Sequence, residues 1–113
     1  MEEIRKRIDE IDDAIADLLS KRLYYAKETK AEKVRLNKPL IDMQRQREVI
    51  EKWRERARRY RGRSGYELSE ELMGKIAELI IDYTVKREME EQLVENGTHR
   101  EYGKRTQHKD TEF

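Results

Sequence analysis

Residues 2–36 read EEIRKRIDEIDDAIADLLSKRLYYAKETKAEKVRL, a stretch that contains neither proline nor glycine. Its apolar residues recur at alternating steps of four and three, which places them on one stripe of a helix: Ile4, Ile8, Ile11, Ile15, Leu18 and Leu19. The pattern predicts a single helix roughly 50 Å long. The segment Asn37-Lys38-Pro39 ends it, because the residue before a proline is pushed out of the helical region.

Two shorter helices are predicted after this one. Asp42 is a candidate N-cap for a helix that runs to about Tyr60, and its apolar face consists of Val49, Ile50, Trp53 and Ala57. A loop marked by Gly62, Ser64 and Gly65 follows. Ser69 then caps a third helix that Asn96 and Gly97 end, with a predicted buried face of Leu72, Met73, Ile76, Ala77, Leu79 and Ile80.

Composition supports an all-α fold with three helices in each chain. Ala, Glu, Lys, Leu and Arg make up about half of the residues, whereas there is one proline and five glycines. We expect one helical domain over residues 1–96 and a polar, aperiodic, disordered tail over residues 97–113. His99 and His108 lie nine residues apart in that tail without further ligands nearby, so no metal site is expected.

The first helix lacks a partner of sufficient length. The second and third helices are only about 27 and 40 Å long, so neither can cover the apolar stripe of a 50 Å helix from end to end. A second copy of the chain would cover it, and a two-fold arrangement is the commonest solution. The lengths therefore predict a homodimer.

Charge and composition argue against several classes of protein. Charged residues make up 45% of the chain, but the net charge is only +1 and the two signs are interleaved, so no nucleic-acid partner is expected. The arginine-rich run of residues 54–63 is interpreted as a solvated helix end and loop. Absence of cysteine excludes disulfides and thiolate sites. Without a stretch of ~20 apolar residues or a signal peptide, we expect a cytoplasmic protein with no membrane partner.

Polar residues interrupt the apolar stripes of all three helices. Arg22 and Lys33 lie three turns apart on the first helix, and Arg45 and Gln46 precede the apolar face of the second; on the third, Thr84 and Glu88 continue the stripe. An unpaired buried charge is costly, so these groups must bind one another or a ligand. The cationic surplus favours a small di- or tricarboxylate. Alternatively, the long Lys and Arg side chains lie along apolar surface with their charges in water.

The same residues carry a resemblance to a known family. The spacing of Arg5, Asp12, Arg22, Lys33, Asp42 and Arg45, followed by LIIDYTVKRE at residues 79–88, resembles the AroQ-type chorismate mutases. The resemblance covers about residues 4–93. It implies an intertwined, all-helical dimer in which the long first helix is shared between two active sites. It also implies the rearrangement of chorismate to prephenate, in phenylalanine and tyrosine biosynthesis, without metal or cofactor.

The resemblance also assigns roles to individual residues. Arg5 would reach the partner's site and Arg22 would bind a substrate carboxylate in its own site. Lys33 would contact the ether oxygen and a carboxylate, with Glu88 also at the ether oxygen. Arg45 would support that cluster. Asp42 and Gln46 would meet the substrate hydroxyl, and Thr84 would help to hold a carboxylate. Gln46 and Glu88 depart from the commonest bacterial pattern, which has Glu and Gln respectively; the fungal branch also carries Glu at the latter position.

The reaction is pericyclic, so the protein must hold a folded conformer and stabilise charge on the breaking ether oxygen. An ionised Glu88 would repel that charge, which leads to the hypothesis that Glu88 is protonated in the active form. Burial would raise the pKa of Glu88 and Lys33 nearby would lower it.

Two other functions are compatible with the sequence. A lyase on the same fold would eliminate pyruvate from isochorismate in a similar cationic pocket. A dimeric helical interaction module would use the same helices without catalysis. Whether the chain docks onto another enzyme of the shikimate pathway is left open.

Overall fold

The structure, a computed structural model, describes residues 1–96 and contains three helices in that range. They are α1 (Glu2–Arg35), α2 (Met43–Arg59) and α3 (Glu70–Asn96). No strand occurs within these residues, which confirms the all-α prediction. The predicted tail, with both histidines, lies outside the described residues.

The end of α1 is a Schellman motif. The Lys38 N–H donates to the carbonyl of Lys33 at 2.8 Å, and the Asn37 N–H donates to the carbonyl of Val34 at 3.1 Å. Asn37 has a φ of 56°, in the left-handed region that this motif requires. The helix therefore ends through Asn37, before Pro39 is reached, and Lys33 lies in its last turn.

The apolar stripe of α1 is exposed. Residues 1–39 form one compact unit, and α2 and α3 belong to a second. On α1 the exposed fraction ranges from 39% at Leu19 to 63% at Ile4 and Leu18, with the remaining members of the stripe, Ile8, Ile11 and Ile15, in between. Six large apolar side chains in one row are more than scattered surface residues explain.

Both predicted N-caps of the second unit are confirmed. The Asp42 carboxylate accepts a hydrogen bond from the Arg45 N–H at 3.0 Å, and the Ser69 hydroxyl oxygen accepts one from the Leu72 N–H at 3.0 Å. Each satisfies a backbone donor that the first turn of a helix leaves unpaired.

Replacing Ser69 with alanine should lower the free energy of unfolding by about 1 kcal/mol, because the Leu72 N–H loses its acceptor. Urea denaturation followed by circular dichroism measures this. Ser20→Ala is the matched control, since Ser20 is exposed within α1 and caps nothing. An equal loss in both variants would show that the cap contributes nothing.

Helices α2 and α3 pack as an antiparallel pair. Ala57 and Ala77, each 1% exposed, are the buried apolar residues of the described chain. Next to them the Arg54 side chain lies over Gly74. A Cβ atom at position 74 would come within 2.9 Å of the Arg54 Nε, so glycine permits this close approach. Arg58 joins the helices by binding Glu51 of α2 at 2.9 Å and Glu70 of α3 at 2.6 Å.

The predicted buried face of α3 was too wide. Leu72 is 47% exposed and Leu79 is 70% exposed, whereas Ala77 is fully buried. At 100° per residue, Leu72 and Leu79 lie on the opposite side of α3 from Gly74 and Ala77, which approach α2. One neighbouring helix covers only one side of α3, so these two leucines are left exposed on the other side.

Candidate active site

Two of the candidate site residues on α1 are half-buried. Arg22 and Lys33 are both partly shielded from solvent, although most of their neighbours on the helix are exposed. Eleven residues separate them, three helical turns, so they share a face. Arg5 differs, because its side chain is 67% exposed and lies 3.7 Å from Glu2.

The first turn of α2 holds three candidate residues. Asp42 is the N-cap of α2, and its Oδ1 accepts a hydrogen bond from the Arg45 N–H. The helix therefore fixes the position of that oxygen. The Arg45 side chain is more than half exposed, and its guanidinium lies 3.7 Å from the Glu48 carboxylate. Gln46 is half-buried. A helix N-terminus favours negative charge, so this turn is electrostatically suited to an anion.

On α3, Thr84 and Glu88 are half-buried and continue the line of Gly74 and Ala77 at steps of three and four residues. The Thr84 hydroxyl donates to the carbonyl of Ile80 at 2.8 Å. It must leave this intrahelical bond before it can donate to a carboxylate, whereas its oxygen can accept as it stands.

The antiparallel pairing brings the α2 and α3 candidates to one end of the helix pair. Arg58 meets Glu70 beside the connecting loop, and Arg54 lies over Gly74 one turn further on. Continuing in this register, the first turn of α2 lies level with the second half of α3. Asp42, Arg45, Gln46, Thr84 and Glu88 therefore share the end opposite the loop.

The comparisons with known proteins identify the family of the chain. A model of the chorismate mutase type II family matches residues 4–89, about three quarters of the chain. The chain belongs to that family. It is therefore a chorismate mutase by family, an enzyme of the isomerase class, and the resemblance drawn from residue spacing is confirmed. Searches of curated proteins and of solved structures found no match.

Gln92, three residues beyond the segment that matches the family, is a candidate that the sequence reasoning missed. It follows Thr84 and Glu88 at the same step of four residues, so the three side chains share a face. Its Oε1 atom is buried and has no hydrogen-bond donor within residues 1–96. A buried acceptor without a donor is uncommon in proteins. The spacing alone could have indicated Gln92, and it extends the polar face by one turn.

A depression on the helix pair does not fit the family's substrate. It has a volume of about 370 Å³ and is lined by three carboxylates and two cations: Glu70, Glu71, Glu78, Arg54 and Lys75. A dianion would be repelled by the excess of carboxylates. The candidate active site is therefore the end of the pair that carries Arg45 and Glu88.

The described residues contain no cluster of three or more His, Asp or Glu side chains arranged to hold a metal ion. Over the same part of the chain, no helix combines the length and the apolar character needed to cross a membrane.

Proposed function

We propose that this chorismate mutase domain, residues 1–96, rearranges chorismate to prephenate as a cytoplasmic homodimer in phenylalanine and tyrosine biosynthesis, without metal or cofactor. The observation that carries the proposal is the placement of Thr84 and Glu88. They continue the face of α3 that is buried at Ala77, nearer the start of the helix, and they lie within the segment that matches the family. Polar side chains at core spacing must be satisfied by hydrogen bonds within the protein or by a ligand, and in the proposal they serve both.

Cationic side chains supply the recognition of the substrate. Chorismate carries two carboxylates, and guanidinium groups bind carboxylates through two parallel hydrogen bonds. In the proposal Arg22 binds one carboxylate, and Arg5 of a second copy enters the same site. Arg45 supports this cluster, while Asp42 and Gln46 meet the substrate hydroxyl and Thr84 holds a carboxylate. Fixing both ends of the substrate favours the folded conformer from which the rearrangement proceeds.

Lys33 and Glu88 act on the reacting atoms. As the ether bond breaks, negative charge grows on its oxygen, and donors already aimed at that oxygen lower the barrier. The Lys33 ammonium donates to it and also contacts a carboxylate. A protonated Glu88 donates its O–H to the same oxygen. No proton leaves the substrate, because the rearrangement only exchanges one carbon–oxygen bond for one carbon–carbon bond.

The exposed stripe of α1 supports the homodimer. Ile4, Ile8, Ile11 and Ile15 are all at least half exposed. A second copy that covered this stripe would bury a continuous apolar row, at a gain of roughly 25 cal/mol per Å². Arg5 lies one residue from Ile4, so the same contact would carry it toward the second copy.

Subunit mixing tests whether Arg5 serves the partner's site. Arg5→Ala and Arg22→Ala should each be nearly inactive, because every site lacks one arginine. A mixed dimer contains one site with both arginines, so random reassembly should restore about a quarter of the wild-type activity. Refolding the two variants together and assaying chorismate consumption measures this. Activity that stays at the level of the separate variants would place both arginines in the same chain's site.

The reaction itself is tested by incubation with chorismate and with isochorismate. We expect prephenate from chorismate and no salicylate or pyruvate from isochorismate. If the protein releases pyruvate from isochorismate and does not convert chorismate, it is a lyase on this fold. No turnover of either compound would leave an interaction module and overturn the proposal.

A further inference from the structure

The second half of α1 contains a buried lysine to which the proposed mechanism gives no role. Lys30 is 3% exposed and is the buried charged residue of the described chain. Its neighbours in sequence, from Glu28 to Glu32, are all exposed. Removing an ammonium group from water is costly unless oxygen atoms accept its hydrogens, so Lys30 requires such acceptors beside it.

Lys30 lies on the same face of α1 as the two cations proposed to bind the substrate. Around the helix axis, Ala26, Lys30 and Lys33 lie about 40°, 80° and 20° from Arg22. All four side chains are buried or half-buried, whereas Lys27, about 140° from Arg22, is exposed. This face is exposed along the isoleucine stripe and becomes shielded from Arg22 onward.

Lys30 also lies between these two cations along the axis of α1. Arg22 and Lys33 are about 16.5 Å apart along the axis, and Lys30 is about 12 Å from the first and about 4.5 Å from the second. Side chains of a helix lean toward its N-terminus, which directs Lys30 back toward the small side chain of Ala26. A molecule that both Arg22 and Lys33 contact therefore extends past Lys30.

The helical positions around Lys30 carry positive charge. One turn away in either direction lie Ala26, Lys27, Lys33 and Val34, so none of these positions is a carboxylate and two are cations. An ammonium group has three N–H donors, so a protein oxygen that accepts from one of them leaves others for a bound anion. This face of α1 therefore suits a negatively charged ligand.

We propose that Lys30 is a further cation of the substrate site, the third on this face of α1, and donates to a carboxylate of chorismate. The inference rests on the proposed function and adds to its site a residue to which the family resemblance assigns no role. The carboxylates of chorismate keep their full charge while the ether bond breaks, in contrast to the ether oxygen. Lys30 therefore stabilises the bound substrate and the transition state equally, which lowers KM and leaves kcat unchanged.

Lys30→Met tests this assignment, because methionine keeps an unbranched apolar side chain and removes the charge. KM for chorismate should rise about 10- to 100-fold, the effect of losing one hydrogen bond between charged groups, with kcat within about twofold of wild type. Prephenate retains both carboxylates, so its inhibition constant should rise by the same factor. Lys30→Arg keeps the charge and should hold both constants within about fivefold of wild type. Initial rates with prephenate as a competing inhibitor give all three constants.

Lys27→Met is the matched control. It removes the same charge from an exposed position one turn away, so kcat, KM and the prephenate inhibition constant should all stay close to wild type. Circular dichroism shows whether each variant is folded. A second measurement needs no variant to fold: in the wild-type protein labelled with ¹³C-lysine, prephenate should shift the NMR signal of the Lys30 ε-methylene group and leave that of Lys27 in place.

Three results would overturn the inference. One is a folded Lys30→Met variant whose KM and prephenate inhibition constant equal those of the wild type, which would make Lys30 a packing residue. Another is a loss of kcat at unchanged KM, which would place Lys30 at the ether oxygen instead of a carboxylate. The third is a Lys30 signal that prephenate does not shift in the wild-type protein. A wild-type protein that neither consumes chorismate nor binds prephenate would instead contradict the proposed function itself.

Discussion

Replacing Lys33 with alanine should lower kcat/KM for chorismate by ~10²- to 10³-fold, the usual effect of removing one donor from a developing oxyanion. Lys33 is half-buried in the last turn of α1, and its own carbonyl accepts the bond that closes the helix. That bond belongs to the backbone, so truncating the side chain should leave the helix end in place. The loss should fall mainly on kcat, because the charge on the ether oxygen appears only in the transition state.

Lys27→Ala is the matched control for this prediction. Lys27 lies on the same helix but is exposed and has no proposed role, so its removal should leave both kcat and KM close to wild type. Circular dichroism and the melting temperature show whether either variant still folds. Full activity in a folded Lys33→Ala variant would remove Lys33 from the reaction and favour a helical interaction module.

Helix boundaries could be predicted closely because local chemistry decides them. Asp42 and Ser69 each place an oxygen where the first turn of a helix needs an acceptor, and both form that hydrogen bond. The end of α1 was also predicted at the correct place, but the reason was incomplete. Asn37 adopts the left-handed conformation that closes the helix, and Pro39 only prevents it from resuming.

The buried faces of the helices could be predicted less well. Burial depends on which other helices pack against a face, and the spacing of apolar residues along one helix does not show this. Leu72 and Leu79 were predicted to be buried, yet both are exposed on the side of α3 opposite the contact with α2. Conversely, Gln92 was missed because a glutamine near the end of a charged helix looks like a solvated residue. Its spacing of four residues from Glu88 was the available signal, and the burial of its amide oxygen supports that assignment.

The candidate site was predicted in part for the same reason. Spacing along one helix relates Thr84 to Glu88, and the antiparallel pairing then adds the first turn of α2. The role proposed for Arg5 requires a second copy, and periodicity within one chain cannot indicate it. Family membership supplies the enzyme class, and a single site that draws on all three helices is part of the proposal.

The activity of the wild-type protein should fall as pH rises, because Glu88 can donate to the ether oxygen only in its protonated form. Above the pKa of Glu88 in the free enzyme, kcat/KM should drop about tenfold for each pH unit until a residual activity from Lys33 and the arginines remains. Glu88→Gln removes this dependence, since an amide offers an N–H donor at every pH. The two profiles should therefore diverge most at alkaline pH, where the variant is the more active enzyme.

Glu78→Gln separates this effect from a general change in charge. Glu78 lies on the same helix, is exposed and lines the carboxylate-rich depression away from the candidate site, so its profile should follow that of the wild type. Measuring initial rates of chorismate consumption for the three proteins across one buffer series gives the comparison. If the wild-type profile is already flat from acidic to mildly alkaline pH, Glu88 does not donate a titrating proton, and stabilisation of the ether oxygen rests on Lys33 alone.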